Sequence, residues 1–260
     1  MQKIESTKNE QIKQINKLKQ KKYRQQTNTY LLEGWHVIKE ALTHQPAEIL
    51  TLLMTNDHFE EVDPFLVNAK FAVLQISPQI AEILSDTVHT DGIFAVAKLP
   101  DPQKIELDIE KPWLVLDHIA DPGNAGTMVR TADAAGYAGV VFSAGAIDPF
   151  NSKVVRAMQG SQFHLQVLQL DDLEAFLTAQ RKKGYRLFGT LVDDSATDIR
   201  EVTLKDQHYV LMMGNEAHGL SPELAEIAND NLYLPIFGNA ESLNVAIAAA
   251  VIMYQLQMKL

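Results

Sequence analysis

The segment that most restricts the fold of this chain is residues 234–250, LPIFGNAESLNVAIAAA. Residues 234–237 predict the end of a strand, and Gly238-Asn239 predicts a turn. Ser242 has the chemistry of a helix N-cap, because its hydroxyl can accept an amide of the first helical turn. The helix that follows consists almost entirely of small apolar residues and is expected to be buried on nearly all sides. The amide of Asn244 near its start must therefore face a partner or a ligand.

The composition fits a globular protein with a sizeable core. Hydrophobic residues make up 46% of the 260 residues and charged residues 22%, which is ordinary for such proteins. The sequence contains no Cys, so disulfides, thiolate metal sites and cysteine nucleophiles are excluded. No apolar run approaches the ~20 residues of a membrane span, and no apolar signal core begins the chain. These observations predict a soluble, cytoplasmic protein.

Positive charge is concentrated at the N-terminus. The net charge is −10, yet residues 1–30 carry eight Lys or Arg and two Glu, a local balance of +6. Such asymmetry indicates a polyanionic partner, although a solvated helix would have the same composition. Ile12, Ile15 and Leu18 recur at three-residue spacing, which predicts an amphipathic helix in residues 6–25.

Strand and helix patterns alternate through the first 100 residues. The predicted strands lie at residues 30–33, 49–54, 71–76 and 93–97, and the predicted helices begin at Trp35 and at Pro78. This alternation is typical of a small α/β domain. Residues 98–112 contain three prolines and little periodicity, which places a domain boundary there. The predicted domains are residues 1–105 and 106–260.

The second half predicts an open, mostly parallel sheet with helices on both faces. Its strands are predicted at residues 113–116, 140–142, 187–191 and 209–213. Its helices are predicted from about Thr127 and after the caps Asn151, Asp171 and Ser221. Ligands of such sheets bind beyond the carboxyl ends of the strands.

Polar residues collect at two of these strand ends. Residues 121–127, DPGNAGT, precede the predicted helix that carries Arg130, and residues 214–220 read GNEAHGL. The first segment can hold an anion on free helix amides or serve as a plain turn. In the second, the carboxylate of Glu216 can cap a helix or face a ligand. We expect no metal, because the eight histidines are scattered without a HExxH pair. The glycine fingerprint of dinucleotide enzymes, the P-loop and the GxSxG elbow are also missing.

Three motifs in register give the sequence a specific resemblance. DPGNAGTMVRTADAAG, GNEAHGLSPEL and LPIFGNAESLNVAIAAA resemble the signature motifs of the SpoU/TrmH-type RNA methyltransferases of the SPOUT superfamily. STKNEQIKQINKL and YLLEGWHVIKEAL resemble that family's N-terminal substrate-binding domain, which has an α/β fold like ribosomal protein L30e. The resemblance implies an α/β fold with a deep C-terminal trefoil knot. It also implies S-adenosylmethionine as cofactor, a ribose 2′-hydroxyl of RNA as methyl acceptor, and a homodimer formed through the C-terminal domain.

The resemblance also assigns the site residues. The family's catalytic positions fall on residues of all three motifs: Asn124, Arg130, Glu216, Ser242 and Asn244. Cofactor contacts fall mostly on backbone: Thr190, Leu191, Gly214, Leu234, Ile236 and Leu243. RNA contacts are expected at Arg156 and, in the basic N-terminal segment, at Lys17, Lys21 and Arg24. A guanidinium stays protonated in proteins, so we expect Arg130 to hold a phosphate, and Glu216 to fix Arg130 or the knot loop.

The chain departs from the family pattern at Ala217, where glycine is usual, and at Ala246, where serine is common. We expect activity to be retained. Ribosomal RNA is the expected substrate, and transfer RNA is the alternative. A non-catalytic RNA-binding or ribosome-assembly factor of the same fold is the competing hypothesis. A methyltransferase acting on small molecules or protein is a weaker one, because the basic N-terminus and the first domain point to RNA.

Overall fold

The computed structural model describes residues 1–67, 69–101, 110–193 and 196–259. The chain forms two compact units, one of residues 1–100 and 150–164 and the other of residues 101–149 and 165–260. The boundary predicted after residue 105 lies outside the described residues. Residues 150–164, which we assigned to the second domain, pack with the first unit.

The first unit is built on a mixed five-stranded sheet with the order β1-β4-β3-β5-β2. Its strands are β1 (Gln2–Ile4), β2 (Thr29–Glu33), β3 (Ile49–Met54), β4 (Ala72–Ile76) and β5 (Ile93–Lys98). Its helices are α1 (Glu10–Lys17), α2 (Lys21–Thr27), α3 (Trp35–His44), α4 (Phe59–Leu66), α5 (Pro78–Leu84) and α7 (Ser152–Met158). Strands β1, β4 and β3 pair in parallel, whereas β5 pairs antiparallel with both β3 and β2.

The first unit has two apolar clusters. One contains Ile38 of α3 together with Val155 and Phe163 from the 150–164 segment. The other contains Ile12, Ile15 and Leu18 with residues of α5. These three positions are buried as the sequence predicts, but the single helix expected over residues 6–25 is divided into α1 and α2. The side chain of Asn9 begins α1 by accepting from the backbone N–H groups of Gln11 and Ile12.

The second unit is built on a seven-stranded sheet with the order β10-β12-β9-β11-β6-β7-β8. Its strands are β6 (Trp113–Leu116), β7 (Gly139–Ser143), β8 (Gln166–Leu170), β9 (Arg186–Thr190), β10 (Thr197–Asp198), β11 (Tyr209–Met213) and β12 (Asp230–Tyr233). Its helices are α6 (Pro122–Ala134), α8 (Leu173–Lys182), α9 (Pro222–Ile227) and α10 (Val245–Gln257). Within the described ranges, every helix is too short or too polar to span a bilayer.

All strand pairs of the second sheet are parallel, which confirms the predicted parallel α/β architecture. The chain builds outward from β6 through β7 to β8 and then continues on the other side of β6 with β9. Strands β6 and β11 are neighbours where this direction reverses. Crevices for ligands open at such switch points, beyond the carboxyl ends of the strands.

Two helix starts differ from the prediction. Helix α6 begins at Pro122 rather than near Thr127, because the side chain of Asp121 accepts the backbone N–H of Asn124 at 2.7 Å. The glycines of the DPGNAGT segment therefore lie inside the helix rather than in a loop before it. Helix α8 is capped by Asp172, whose side chain accepts from Ala175, and not by Asp171.

The C-terminal segment corrects three expectations. Strand β12 ends at Tyr233, so residues 234–237 are not part of a strand. The N-cap of α10 is Asn244 rather than Ser242, and its Oδ1 accepts from the N–H groups of Ala246 at 2.9 Å and Ile247 at 3.2 Å. Helix α10 is not buried all round, because several apolar side chains face outward. The exposed ones are Ile247, Val251, Tyr254 and Met258.

Candidate active site

Glu216 lies in the loop after β11 and bonds to the start of α6. Its two carboxylate oxygens accept from the backbone N–H of Ala120 at 3.3 Å and of Asp121 at 3.2 Å. One of them also accepts from Nδ2 of Asn124 at 3.1 Å. A carboxylate at this position complements the positive end of the helix. Glu216 therefore joins the carboxyl ends of β6 and β11.

A second amide extends this network to the last helix. Asn244 donates from Nδ2 to Oδ1 of Asn124 at 3.0 Å, while its own Oδ1 caps α10. Asn124 is thus held from both sides, by Glu216 at its amide nitrogen and by Asn244 at its amide oxygen. The polar residue at the mouth of α10 faces the first motif, and three residues from three distant motifs form one hydrogen-bonded chain.

The network fixes the charge of Glu216. Burial raises the pKa of the Glu216 carboxyl, but hydrogen bonds from Asn124 and from nearby backbone N–H groups outweigh that effect and hold the pKa below its usual range. The carboxylate is consequently ionised at neutral pH. Its contribution to stability is present above the ordinary carboxyl pKa and is lost as the pH falls through the lowered value.

The loop that carries Glu216 is itself tightly folded. Oδ1 of Asn215 accepts from the N–H groups of Ala217 at 2.9 Å and His218 at 3.1 Å. Its Nδ2 donates to the carbonyl of His118 at 2.7 Å. A Cβ on Gly214 would collide with the backbone of Gly219 and Leu220, so only glycine fits there. The side chain of Ala217, where the family usually has glycine, is exposed.

A cavity of about 540 Å³ opens beside this loop. It collects all six residues to which the resemblance assigns cofactor contact: Thr190, Leu191, Gly214, Leu234, Ile236 and Leu243. Glu216 and Ser242 also line it. The volume falls in the range of small-molecule sites, which are mostly apolar with a few placed polar groups.

The lining fits a nucleoside-type cofactor. The backbone N–H groups of Leu234, Ile236 and Leu243 have no acceptor within the chain as far as the structure describes it. Backbone amides without internal partners are strong donors, so this cavity offers hydrogen bonds as well as apolar surface. Leucine and isoleucine side chains around them provide the apolar faces on which a planar base can lie. These residues would hold S-adenosylmethionine through its base and ribose.

Arg130 and Ser242 are not bonded into the network. Arg130 lies exposed on α6, and in the described part of the chain no hydrogen bond or ion pair holds its guanidinium. The expectation that Glu216 fixes Arg130 is therefore not met, because the carboxylate binds Asn124 and backbone amides instead. The other expectation, that Glu216 fixes a loop, is consistent with its bonds to Ala120 and Asp121, which tie the loop after β11 to the start of α6. Ser242 is exposed at the edge of the cavity.

The residues expected to contact RNA divide into two groups. Arg24 is only 3% exposed, and its Nη1 donates to the carbonyls of Leu18 at 2.8 Å and Lys19 at 3.0 Å. Assigning it to RNA was wrong, because it closes the end of α1. Lys21 is exposed and Lys17 is half-buried. Arg156 is half-buried beside the carboxylate of Asp86.

Sequence reasoning missed Asp117, which directly follows β6. It is 2% exposed, and its carboxylate accepts the N–H of Ser221 at 3.0 Å and contacts Nδ1 of His118 at 2.6 Å. It thereby anchors the loop before α9 to the end of β6. An aspartate immediately after four buried strand residues was the signal that could have identified it.

A parallel α/β unit with a part-apolar cavity beyond the carboxyl ends of β9, β11 and β12 is typical of enzymes that bind a small-molecule cofactor. Comparison with known proteins specifies the class. Residues 111–254 match the SpoU rRNA Methylase family, and residues 9–95 match the MRM3-like substrate binding domain. The chain therefore belongs to the SpoU rRNA methylase family, which confirms the resemblance read from the three motifs.

One sequence relative and two solved structures each match nearly the whole chain. The 23S rRNA (guanosine(2553)-2′-O)-methyltransferase RlmP of Bacillus subtilis is 36% identical over 257 residues, which are 99% of this chain and 100% of that protein. The AdoMet-bound rRNA methyltransferase from Sinorhizobium meliloti superposes with a TM-score of 0.87 at 30% identity and covers 100% of this chain and 98% of its own. AviRb from Streptomyces viridochromogenes, also solved with AdoMet, gives 0.84 at 25% identity, with 97% and 98% covered. The two-domain α/β fold class is confirmed, and the knot stays a prediction.

Proposed function

We propose that the protein transfers a methyl group from S-adenosylmethionine to the 2′-hydroxyl of one ribose in large-subunit ribosomal RNA. It is an S-adenosylmethionine-dependent RNA 2′-O-methyltransferase. The observation that carries the proposal is the hydrogen-bonded network from Glu216 through Asn124 to Asn244. Glu216 also lines the cavity that fits the cofactor, so the network lies beside that cavity.

Residues of the cavity position the cofactor. The backbone of Leu234, Ile236 and Leu243 would hold the base and ribose, and Gly214 lets the backbone of Gly219 and Leu220 pack closely within the loop after β11. When bound, the cofactor supplies a methyl group already activated on a sulfonium. Transfer forms an O–CH3 bond and breaks the S–CH3 and O–H bonds, so the protein must place the ribose oxygen in line with the methyl and let the hydroxyl proton pass to water.

Arg130 binds RNA next to the reacting ribose. It projects from α6, the helix that carries Asn124 near its start, and no internal partner holds it among the described residues. Because a guanidinium stays protonated, Arg130 clamps the neighbouring phosphate and polarises the 2′-hydroxyl rather than removing its proton. Asn124, Asn244 and Ser242 orient the ribose and the cofactor loop.

Substrate choice is the finer part of the proposal. The Bacillus subtilis relative is named for 23S rRNA and a guanosine ribose, and the first unit matches a substrate-binding domain. We assign ribosomal RNA over transfer RNA on this basis, with a guanosine as the modified nucleotide. Lys17, Lys21 and Arg156 contribute phosphate contacts, while Arg24 does not. We propose the cytoplasm as the location of the reaction.

The test is a methylation assay with labelled S-adenosylmethionine. Purified protein is mixed separately with ribosomal RNA and transfer RNA from cells that lack the gene, and the labelled position is mapped. We expect label in large-subunit RNA at one ribose, with RNA from wild-type cells as the already-modified control. Cofactor binding without label in either RNA would favour the non-catalytic factor, and label in transfer RNA alone would favour the alternative substrate.

We also propose that α10 pairs two copies of the chain. Ile247 is 54% exposed and Val251 is 44% exposed, and with Tyr254 and Met258 they recur at helical spacing on one face. Apolar faces of this kind mark protein contacts. Sedimentation of the full chain should show a dimer, and Val251→Glu should give a monomer. Lys182→Glu, at an exposed position of α8, is the control for a new carboxylate elsewhere on the same unit and should leave the dimer intact.

A further inference from the structure

Helix α3 runs alongside residues 159–164 of the first unit, and side chains near its two ends bond to backbone carbonyls of that segment. Nε2 of His36 contacts the carbonyl of Gln159 at 3.1 Å. Nε2 of Gln45 donates to the carbonyl of Phe163 at 3.0 Å. The backbone of this segment is consequently fixed at both ends against one face of α3.

Between these two bonds, three side chains meet. Nε2 of His164 lies 3.0 Å from Oε2 of Glu40, and Nε2 of His44 lies 3.4 Å from the same oxygen. One ligand atom from each residue can be chosen so that all three lie within 4.8 Å of one another. The two imidazole rings pack edge to face with centroids 4.5 Å apart.

Gly160 makes this meeting possible. Its φ is +94°, a conformation that side chains rarely adopt, and a Cβ there would lie 2.6 Å from Cγ of Glu40. The missing side chain lets the segment approach α3 closely enough for His164 to reach Glu40. Glu40 and His44 are one helical turn apart and therefore share a face.

We propose that Glu40, His44 and His164 form a binding site for a divalent transition-metal ion, with Zn²⁺ as its best probe. In a tetrahedral zinc site with bonds of about 2.0–2.1 Å, neighbouring ligand atoms lie about 3.3 Å apart. The two distances to Glu40 have this size. Two imidazole nitrogens and one carboxylate oxygen are ordinary zinc ligands, and the fourth position is left for water.

The ligand set excludes other common ions. Mg²⁺ and Ca²⁺ prefer oxygen ligands throughout, whereas imidazole suits zinc, copper and nickel. The side chains of His44, Glu40 and His164 are 47%, 24% and 30% exposed, so an ion can enter from solvent. This inference replaces our expectation of no metal, which considered only spacing along the sequence.

An ion bound there would add metal bonds to the hydrogen bonds that already join α3 to the 150–164 segment. Metal binding to a folded site stabilises the fold that presents it. Its ligands are not among the methyltransferase residues, and its role is to hold the segment that carries Arg156 against α3.

The test uses the full chain without a polyhistidine tag. Zn²⁺ binding is measured by titration calorimetry, and the thermal unfolding midpoint is recorded with and without Zn²⁺ and after EDTA. We compare wild type with His44→Ala, His164→Ala and Glu40→Gln. His36→Ala is the matched control, because it removes a contact to the same segment without removing a proposed ligand.

We expect one saturable site in wild type, a higher midpoint with Zn²⁺ and reversal by EDTA. Each ligand variant should weaken binding at least about tenfold, whereas His36→Ala should keep it. The proposal is overturned if wild type shows no saturable binding, if the ligand variants bind as wild type does, or if His36→Ala loses binding equally. If His164→Ala does not fold, the exposed His44→Ala decides, together with Co²⁺ absorption as a report on imidazole coordination.

Discussion

The buried and half-buried cations of the first unit and the polar residues beside the cavity of the second unit have different partners. In the first unit, Arg24 and Lys19 bond to backbone carbonyls, and Lys19 also pairs with Asp86 at 3.0 Å. In the second unit, Glu216 accepts from Asn124 and from backbone N–H groups at the start of α6, and Asn124 accepts from Asn244, at the edge of a cavity. The first set connects helix ends within one unit, whereas the second set connects residues of three separate sequence motifs beside the cavity.

This difference changes the meaning of the basic N-terminus. Lys3 pairs with Glu5 and Lys13 with Glu10, both at the surface, where such pairs contribute little. Arg24 and Lys19 are engaged in the fold, which leaves a smaller positive surface than the sequence count indicates. Lys17 and Lys21 lie on the part of that surface that we propose for RNA.

The largest effect is expected in the second unit. Arg130→Ala should lower methyl transfer about 10²–10³-fold, the size found when a group that stabilises developing charge is removed. Cofactor affinity and the unfolding midpoint should stay at wild-type values, because no internal bond is lost among the described residues. Turnover and calorimetry with S-adenosylmethionine measure the two effects separately. Arg181→Ala, an exposed arginine of α8, is the control, and unchanged turnover in Arg130→Ala would remove this residue from the mechanism.

The second prediction concerns the stability of the first unit and not its activity. Arg24→Met keeps the length of the side chain but leaves the carbonyls of Leu18 and Lys19 without their donor, which should cost about 2–3 kcal/mol of unfolding free energy. Urea unfolding measures it. Lys22→Met, an exposed neighbour on α2, should change stability by less than about 0.5 kcal/mol. Equal effects from both variants would mean that Arg24 has no special structural role.

The third prediction distinguishes two caps of α10. Asn244→Ala should destabilise the protein by about 1 kcal/mol, because two amides of the first turn lose their acceptor. Ser242→Ala should leave stability nearly unchanged, although both variants should reduce methyl transfer. Thermal unfolding compared with turnover tests this. A loss of stability in Ser242→Ala as large as in Asn244→Ala would restore the cap read from the sequence.

The smallest effect is a pH dependence in the first unit. Burial lowers the pKa of the His58 imidazole, but bonds to the Asp91 carbonyl and the Glu61 carboxylate outweigh it and raise the pKa above its usual value. The stabilisation is therefore complete below the ordinary histidine pKa of about 6.5 and is lost as the pH rises through the higher folded value. An NMR titration of His58 and urea midpoints across this range measure it. His58→Gln should flatten the slope, and the exposed His89→Gln should leave it; a wild-type slope of the opposite sign would contradict the assignment.

Most of the secondary structure was predictable because it follows local patterns. Strand β11 lies at residues 209–213 as the run of apolar residues indicates, and Asn151 caps α7 as predicted. Helix starts were harder to place, since several residues could serve as caps. Helix α6 begins after Asp121 and not at a later residue, because the Asp121 carboxylate accepts the N–H of Asn124.

The sequence predicts which residues form the site, but it does not predict the hydrogen bonds between them. The motifs named Asn124, Glu216 and Asn244, yet no sequence pattern shows that Asn124 sits between the other two. Burial of Arg24 was equally hidden, because a basic residue among lysines reads as surface. Its role depends on the turn between α1 and α2, which brings the carbonyl of Leu18 within 2.8 Å.

The 150–164 segment has a consequence for how the chain could be divided. The polypeptide leaves the parallel sheet after β7, contributes Val155 and Phe163 to the other apolar core, and returns as β8. A gene split between the codons for residues 101 and 110 would therefore not produce two self-sufficient proteins. The shorter product would lack part of its own apolar core. The longer product would carry residues 150–164, with Val155 and Phe163, without the core in which they are buried.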